Sequence, residues 1–520
     1  MKISNNYKSA INMDATRLQI LYKSILVGLL SGVTTCLYRL LLMKAEVLSF
    51  MAYDYFRTHL LFIPFLFIAL GTAGYITGIL INKFKMIGGS GIPQVKGIIL
   101  GYFKDNWLGT LIAKFLGGII SITAGLSLGR EGPSIQIGSC VAEGVGNKLA
   151  SSRQEKKILM ASGASAGLAA AFNAPLAGTM FAMEEIFKYF SPVILLSTMV
   201  SAVIADYISK LIFGTNPVFL FDLKSSIDLN SYWLLVLLGA VMGICGALYN
   251  TVLLKIQKLY KSVKWLNLKT RPLIPFLLSG ILGIIFPVVL GGGHKLMEEI
   301  NLTSSITFLF AALLIKFLFS MICFGSGAPG GIFFPLLVMG AAVGGIIGNI
   351  AINYFGFNTA LFHNFVILAM VGFFTSIVRA PITGVILLIE MTGSFTHLLP
   401  LTIVSILSYV VADLLKSTPI YESLLANQVA EKGITSERED SAKKVTFETV
   451  VHYGSPAEDK LVRDLNFPSN CLLIAVRRNR SEFIPKGNTK LQAGDYLVLL
   501  TDVKAEAVTR EKLDLMSSTI

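Results

Sequence analysis

Glu131, in GREGPSIQIG (129–138), and Glu185, ending NAPLAGTMFAMEE (173–185), are carboxylates set in largely apolar stretches. Acids in such surroundings are costly to keep and by default mark function. Near them the apolar segments are broken by glycine and proline: GGSGIP at 88–93, GREGP at 129–133 and GSGAPGGIFFP at 325–335. At membrane depth such breaks are tolerated only where backbone lines a cavity or is buried in protein. Glycine followed by proline near a first turn signals a helix start, because the ring needs no N–H there. Helix N-termini carry unsatisfied N–H groups and the positive end of the dipole, so several converging on one cavity would hold an anion without a full cation. Cation paths favour carbonyls and carboxylate rings instead. Close helix packing is the competing reading of the glycines; it fits Gly117, Gly118, Gly344 and Gly345 but not the recurrent proline.

The elements that position these residues must lie in a bilayer. The chain is 54% hydrophobic and only 14% charged, against about 25% charged in soluble domains, and its mean hydropathy is +0.69. Apolar stretches recur from Leu18 to Tyr421, and several, such as Leu60–Ile81, reach the roughly 20 residues a spanning helix needs. The expectation is a multi-pass protein of the cell membrane with no removable leader and both termini cytoplasmic. The net charge of +13 does not point to nucleic acid, because its Lys and Arg sit in short runs between apolar segments and in the polar tail. Five scattered cysteines and five histidines form no ligand spacing, so neither metal nor cofactor is expected. No Ser/His, paired-aspartate or metal constellation suggests an enzyme.

Laying the two halves over each other shows a repeat. Gly125, Gly129, Pro133 and Gly138 match Gly327, Gly331, Pro335 and Gly340 at an offset of 202 residues. Ala174, Pro175, Gly178 and Glu184 match Ala380, Pro381, Gly384 and Glu390 at an offset of 206. Two half-chains, 18–214 and 232–421, are therefore expected to enclose a site at their interface; the offsets leave parallel and inverted topology open. Glu131 falls opposite Phe333 and Glu185 opposite Met391, so both acids lack a counterpart, whereas Glu184 has one in Glu390. A matched pair suggests architecture and an unmatched acid suggests function. An ionised Glu131 among helix N-termini would occupy an anion site itself, and protonation would release it. An ion pair with Arg130 is the competing reading for Glu131, and a solvated helix-end acid for Glu185.

GSGIP (89–93), GREGP (129–133) and GIFFP (331–335) together resemble the signature segments of the CLC family of chloride channels and chloride/proton exchangers, in that family's order. The resemblance spans about 18–426. It implies an all-α polytopic membrane protein, an inverted repeat of tilted, broken helices, assembled as a homodimer with one pore per subunit. Carried over by position, the hydroxyls of Ser90 and Tyr421 and the amides of Ile332 and Phe333 would hold a central chloride. Amides around Arg130, Glu131 and Gly132 would serve an outer site. Glu131 aligns with the gate and outer proton carrier, and Glu185 with the inner proton acceptor present in exchangers and replaced in channels. Serine at position 90 resembles the chloride branch, where proline marks nitrate and methionine or asparagine fluoride. Lys96 and Lys316 are expected to snorkel or to add positive potential to an entrance.

The expected division is a transport domain over 1–428, a charged linker over 429–444, a small cytoplasmic α+β domain over 445–513 and a tail over 514–520. Alternation in KVTFETVVHY and CLLIAVRR, a turn at LQAGDY and a final amphipathic helix carry the α+β reading. GSPAEDKLVRDL and FIPKGNTKLQAGD resemble the TrkA-C type regulatory domain, which implies an unidentified small ligand, nucleotide or ion. Arg477, Arg478 and Arg480 are candidates to meet a phosphate, or form a solvated basic turn. The leading expectation is a chloride/proton antiporter; a chloride channel of the same fold and a membrane sensor are the alternatives.

Overall fold

The computed structural model describes residues 5–188, 190–219, 221, 223, 227–263, 265–432, 444–468, 471–478, 481–502, 509, 513, 516 and 517, with side chains from Leu18 onward. Two compact units result, Met1–Asn427 and Gln428–Ile520.

In the first unit, seven helices among the described residues are long and apolar enough to cross a membrane. Between them lie pieces too short to span, such as Ile92–Leu100 and Pro175–Phe181. Their brevity follows from the sequence. Gly91, at φ 96°, turns the chain into the Ile92–Leu100 helix, with Pro93 in its first turn; only glycine takes that conformation freely. Asn173 and Arg379 end long helices in the left-handed region, and each is followed by a short helix opening on proline, Pro175 and Pro381. Small residues then let helices cross closely. A Cβ on Gly138 would collide with the Gly163 carbonyl, and one on its repeat partner Gly340 would lie 2.9 Å from Met370 Cα.

The halves are joined by reciprocal bonds. Gly129 N donates to Gly331 O at 2.6 Å and Gly331 N to Gly129 O at 2.7 Å, an antiparallel bridge between residues matched at the 202 offset. Gly89 N donates to Gly327 O (3.1 Å) and Gly291 N to Gly125 O (3.0 Å). Contacts in which i meets j and j meets i are what a two-fold relation between the halves produces, as the expected inverted repeat requires. Lysines extend the pattern: Lys114 Nζ donates to Ile87 O and Gly89 O, while Lys316 Nζ donates to Val289 O and Gly291 O. Lys316 is thus fully buried rather than snorkelling, because the four carbonyls of the two loops need donors.

The second unit holds a four-stranded antiparallel sheet, β1 (Lys444–Val450), β2 (Cys471–Arg478), β3 (Ser481–Phe483) and β4 (Tyr496–Asp502), in the order β1-β4-β2-β3. Val451, Val476, Leu491, Leu497, Leu499 and Leu513 build its core. The turn before β4 uses Gly494 at φ 86°, and Asp495 Oδ2 accepts Gln492 N at 2.8 Å. The helix Ile420–Glu431 runs past the expected start of the linker, and β1 begins at Lys444; Gln428 to Glu431 are compatible with helix, so charge did not mark its end. The linker residues 433–443 lie outside the described residues, as does most of the expected final helix apart from Thr509, Leu513, Met516 and Ser517.

Candidate functional site

Glu131 is the first residue of the Glu131–Leu149 helix, and Phe333 the first of Phe333–Phe355. The Gly129–Gly331 bridge lies just ahead of both, so it presents two helix N-termini side by side. Amides of a first turn have no intrahelical acceptor. Those contributed by Arg130, Glu131 and Gly132 on one side, and by Ile332 and Phe333 on the other, are the expected anion donors.

Glu131 is 0% exposed. Neither carboxylate oxygen has a hydrogen-bond partner at normal geometry among the described residues. Arg130 Nε lies 3.9 Å from Oε1, at the edge of ion-pair range and too far for a hydrogen bond. The carboxylate folds back over Gly129: a Cβ there would collide with Oε2 and lie 3.2 Å from Phe334 N. Glycine at 129 is therefore what makes room for the acid.

Ser90 packs against the same helix start, since a Cβ on Gly132 would lie 2.7 Å from Ser90 O and 2.9 Å from Ser90 Cβ. Its Oγ accepts Ile92 N at 3.2 Å, which leaves the O–H free to donate elsewhere. Tyr421, in the first turn of Ile420–Glu431, is fully buried, and its hydroxyl has no partner among the described residues. The Phe333 ring is held by Phe374 (4.7 Å), Phe172 (5.3 Å) and Phe181 (6.4 Å). That packing fixes the backbone whose amides are wanted.

Glu185 sits on a π-helical turn, Ala182–Phe187, that continues the Pro175–Phe181 helix. It is 1% exposed, which rules out a solvated helix-end acid. Lys96, also buried, donates to Glu185 Oε1 at 2.9 Å and lies 4.0 Å from Glu422 Oε1, which in turn contacts Lys188. Glu422 is half-exposed. The cluster therefore leads from the buried acid towards water, beside the Tyr421 hydroxyl. Glu184 behaves differently: it accepts from Ile382 N, Thr383 N and Thr383 Oγ1, while Glu390 accepts from Leu176 N and Ala177 N. The matched acids are reciprocal helix caps.

Lys96, Glu422 and Lys188 were not singled out as site residues by sequence, and neither were Glu46 and His294, whose side chains meet at 3.2 Å near Glu131. In the second unit the two candidate arginines that are described, Arg477 and Arg478, are already engaged. Arg478 forms a two-pronged pair with Asp495 (2.7 Å each), which lifts its pKa above the ordinary arginine value, and Arg477 meets Glu448 and Glu482. Neither is left to meet a phosphate, since carboxylates of the same sheet neutralise them; Arg480 lies outside the described residues.

Residues 73–413 match the family described as voltage gated chloride channel, and residues 447–514 match the TrkA-C domain. An H(+)/Cl(-) exchange transporter, ClcA, of Vibrio cholerae serotype O1 is 33% identical over 428 residues, covering 80% of this chain and 91% of that protein. The ClcA of Salmonella arizonae is 31% identical over 432 residues, covering 81% and 91%. A crystal structure of a slow cyanobacterial Cl-/H+ antiporter superimposes with a TM-score of 0.75 at 28% identity, covering 80% of this chain and 99% of that one. A CLC-type fluoride/proton antiporter shares the fold at a TM-score of 0.63 and 21% identity, covering 81% and 98%. The signature segments, the two-fold frame on which they meet and these matches agree: the chain is a multi-pass membrane protein of the voltage gated chloride channel (CLC) family with a C-terminal TrkA-C domain.

Proposed function

We propose that this protein is a secondary active transporter that exchanges chloride for protons. The observation that carries the reading is Glu131, a fully buried carboxylate with no side-chain hydrogen-bond partner among the described residues and approached by the amides of Phe334 and of Glu131 itself, at the start of a helix that faces a second helix start. Ionised, it takes the place of an anion among those amides; protonated, it leaves and carries a proton with it. The central chloride is bound by the hydroxyls of Ser90 and Tyr421 and the amides of Ile332 and Phe333. The outer one is bound by amides at Arg130, Glu131 and Gly132. Neutral donors bind chloride moderately, which allows it to leave. Glu185 receives protons from the inner side, with Lys96 holding it in place.

The reading draws support from the exchange activity in the names of the ClcA relatives and of the cyanobacterial antiporter, and from Ser90 in the position of the chloride branch. It includes a homodimer with one pathway per subunit, both termini in the cytoplasm, and a TrkA-C domain that senses a nucleotide or ion through a site other than Arg477 and Arg478. The transport domain ends near 428, and the regulatory domain occupies 445–513. Purified protein in vesicles with an imposed chloride gradient should drive protons against their own gradient. Passive chloride flux without proton movement would make it a channel instead.

A further inference from the structure

Two cavities adjoin next to Glu131, which lines the smaller of them. A small one, about 20 Å³, is lined by Glu131, Gly129 and Phe334 among others; a cavity of that size holds one water. A larger one, about 470 Å³, carries Arg39, Lys295 and Glu298 on its walls. Glu46, Arg130 and His294 line both and so form the partition between them. Within that partition His294 Nδ1 lies 3.2 Å from Glu46 Oε1. The imidazole is stacked on Phe334 at 4.2 Å between ring centres, and its side chain is 37% exposed against 19% for Glu46.

The surrounding basic groups have contacts of their own. Lys295 lies over the Phe50 ring at 3.7 Å. Lys316, behind the loop, is spent on Val289 O and Gly291 O. Arg39 donates to Ala170 O and Asn173 Oδ1, and the Arg130 guanidinium offers donors but no acceptor atom. Glu298 lines only the larger cavity. Of the three groups that line both cavities, two can take up a proton and give it on, an imidazole and a carboxylate in contact.

We infer that His294 and Glu46 form the proton relay between the larger cavity and Glu131, an inference that rests on the exchanger reading above. His294 takes a proton at Nε2 from the larger cavity and releases the one on Nδ1 to Glu46, leaving the other neutral tautomer. Glu46 passes that proton to a water in the small cavity, which hands one to Glu131, and Glu46 returns to a carboxylate. A ring flip or a proton moving in the reverse direction restores the first tautomer. No charge accumulates, and each step moves one proton.

The test measures proton and chloride flux of the full chain in vesicles. His294→Ala and Glu46→Gln should each lower coupled proton flux at least about tenfold, with altered dependence on the pH of the solution facing the larger cavity. Imidazole added on that side should restore flux in His294→Ala, which a merely structural contact would not predict for a water-filled gap. When either change is added to Glu131→Gln, chloride flux should stay at that variant's level, because no proton is then delivered to position 131. A further fall there would make the pair an anion-path or packing element and overturn the relay. So would unaltered proton flux and pH profile in both single variants. Absence of proton flux from the unmodified protein overturns the exchanger reading and the relay with it.

Discussion

Lys96 and Glu185, 89 residues apart in the chain, close a buried ion pair at 2.9 Å, and Lys96 keeps Glu422 within 4.0 Å as a second carboxylate. Removing one partner of a buried pair leaves the other uncompensated, at about 3–5 kcal/mol. In Lys96→Met the Glu185 carboxylate meets that penalty each time it releases a proton. Proton flux should therefore fall at least about tenfold. Chloride flux measured in the Glu131→Gln background should not change, and Lys96→Arg, which keeps the cation, should recover part of the loss.

Glu131 and Glu185 should separate on substitution. On the proposed role, Glu131→Gln imitates a protonated Glu131, so chloride should pass without driving protons. Under that proposal flux of the unmodified protein should rise as pH falls, and the variant should lose that dependence. Glu185→Gln should stop proton movement while chloride still passes. Paired proton and chloride flux assays check both, and equal loss of the two ions in Glu185→Gln would remove its assigned role.

Glu184 and Glu390 should behave alike. Each satisfies two backbone amides at the start of the other half's short helix, and losing a cap costs about 1–2 kcal/mol. Alanine at either position should lower thermal stability by a similar amount and leave the ratio of protons to chloride unchanged. A changed ratio in Glu184→Ala alone would give that acid a part in proton movement.

In the TrkA-C domain, Arg478→Ala strips the counter-charge from Asp495, which is 0% exposed. Because the guanidinium keeps some solvent contact, the penalty is roughly 2 kcal/mol, below that of a fully buried pair. Hydrogen exchange in β2 and β4 of the full-length protein should speed up accordingly. Asp495 raises the Arg478 pKa, so the contribution carried by the arginine's charge is present at neutral pH and is lost as pH rises through the arginine range. The effect of the substitution should thus be flat across neutral pH.

The repeat was legible because glycine and proline are chosen by backbone geometry, and geometry survives where side-chain chemistry drifts. Glu131 and Glu185 stood out for the converse reason, as acids with no partner at the matched position. Lys114 and Lys316 obey the same 202 offset and could have been found by extending the comparison beyond glycine and proline. The contacts of Lys96 with Glu185, and of Glu46 with His294, 248 residues apart, follow no period. They depend on how separate helices lie together, which local sequence does not encode. The engagement of Arg477 and Arg478 was hidden similarly, since their carboxylate partners come from other strands and from the turn before β4.

The reciprocal caps have a consequence for synthesis. Leu176 and Ala177 leave the ribosome more than two hundred residues before Glu390, the acid that accepts their amides. Until then the short helix at Pro175 begins on unsatisfied donors, inside or against a lipid that offers none in return. The first half is thus held in an unfinished state while the second is made. The Gly129–Gly331 bridge and the two caps can therefore close only after the second half has been made.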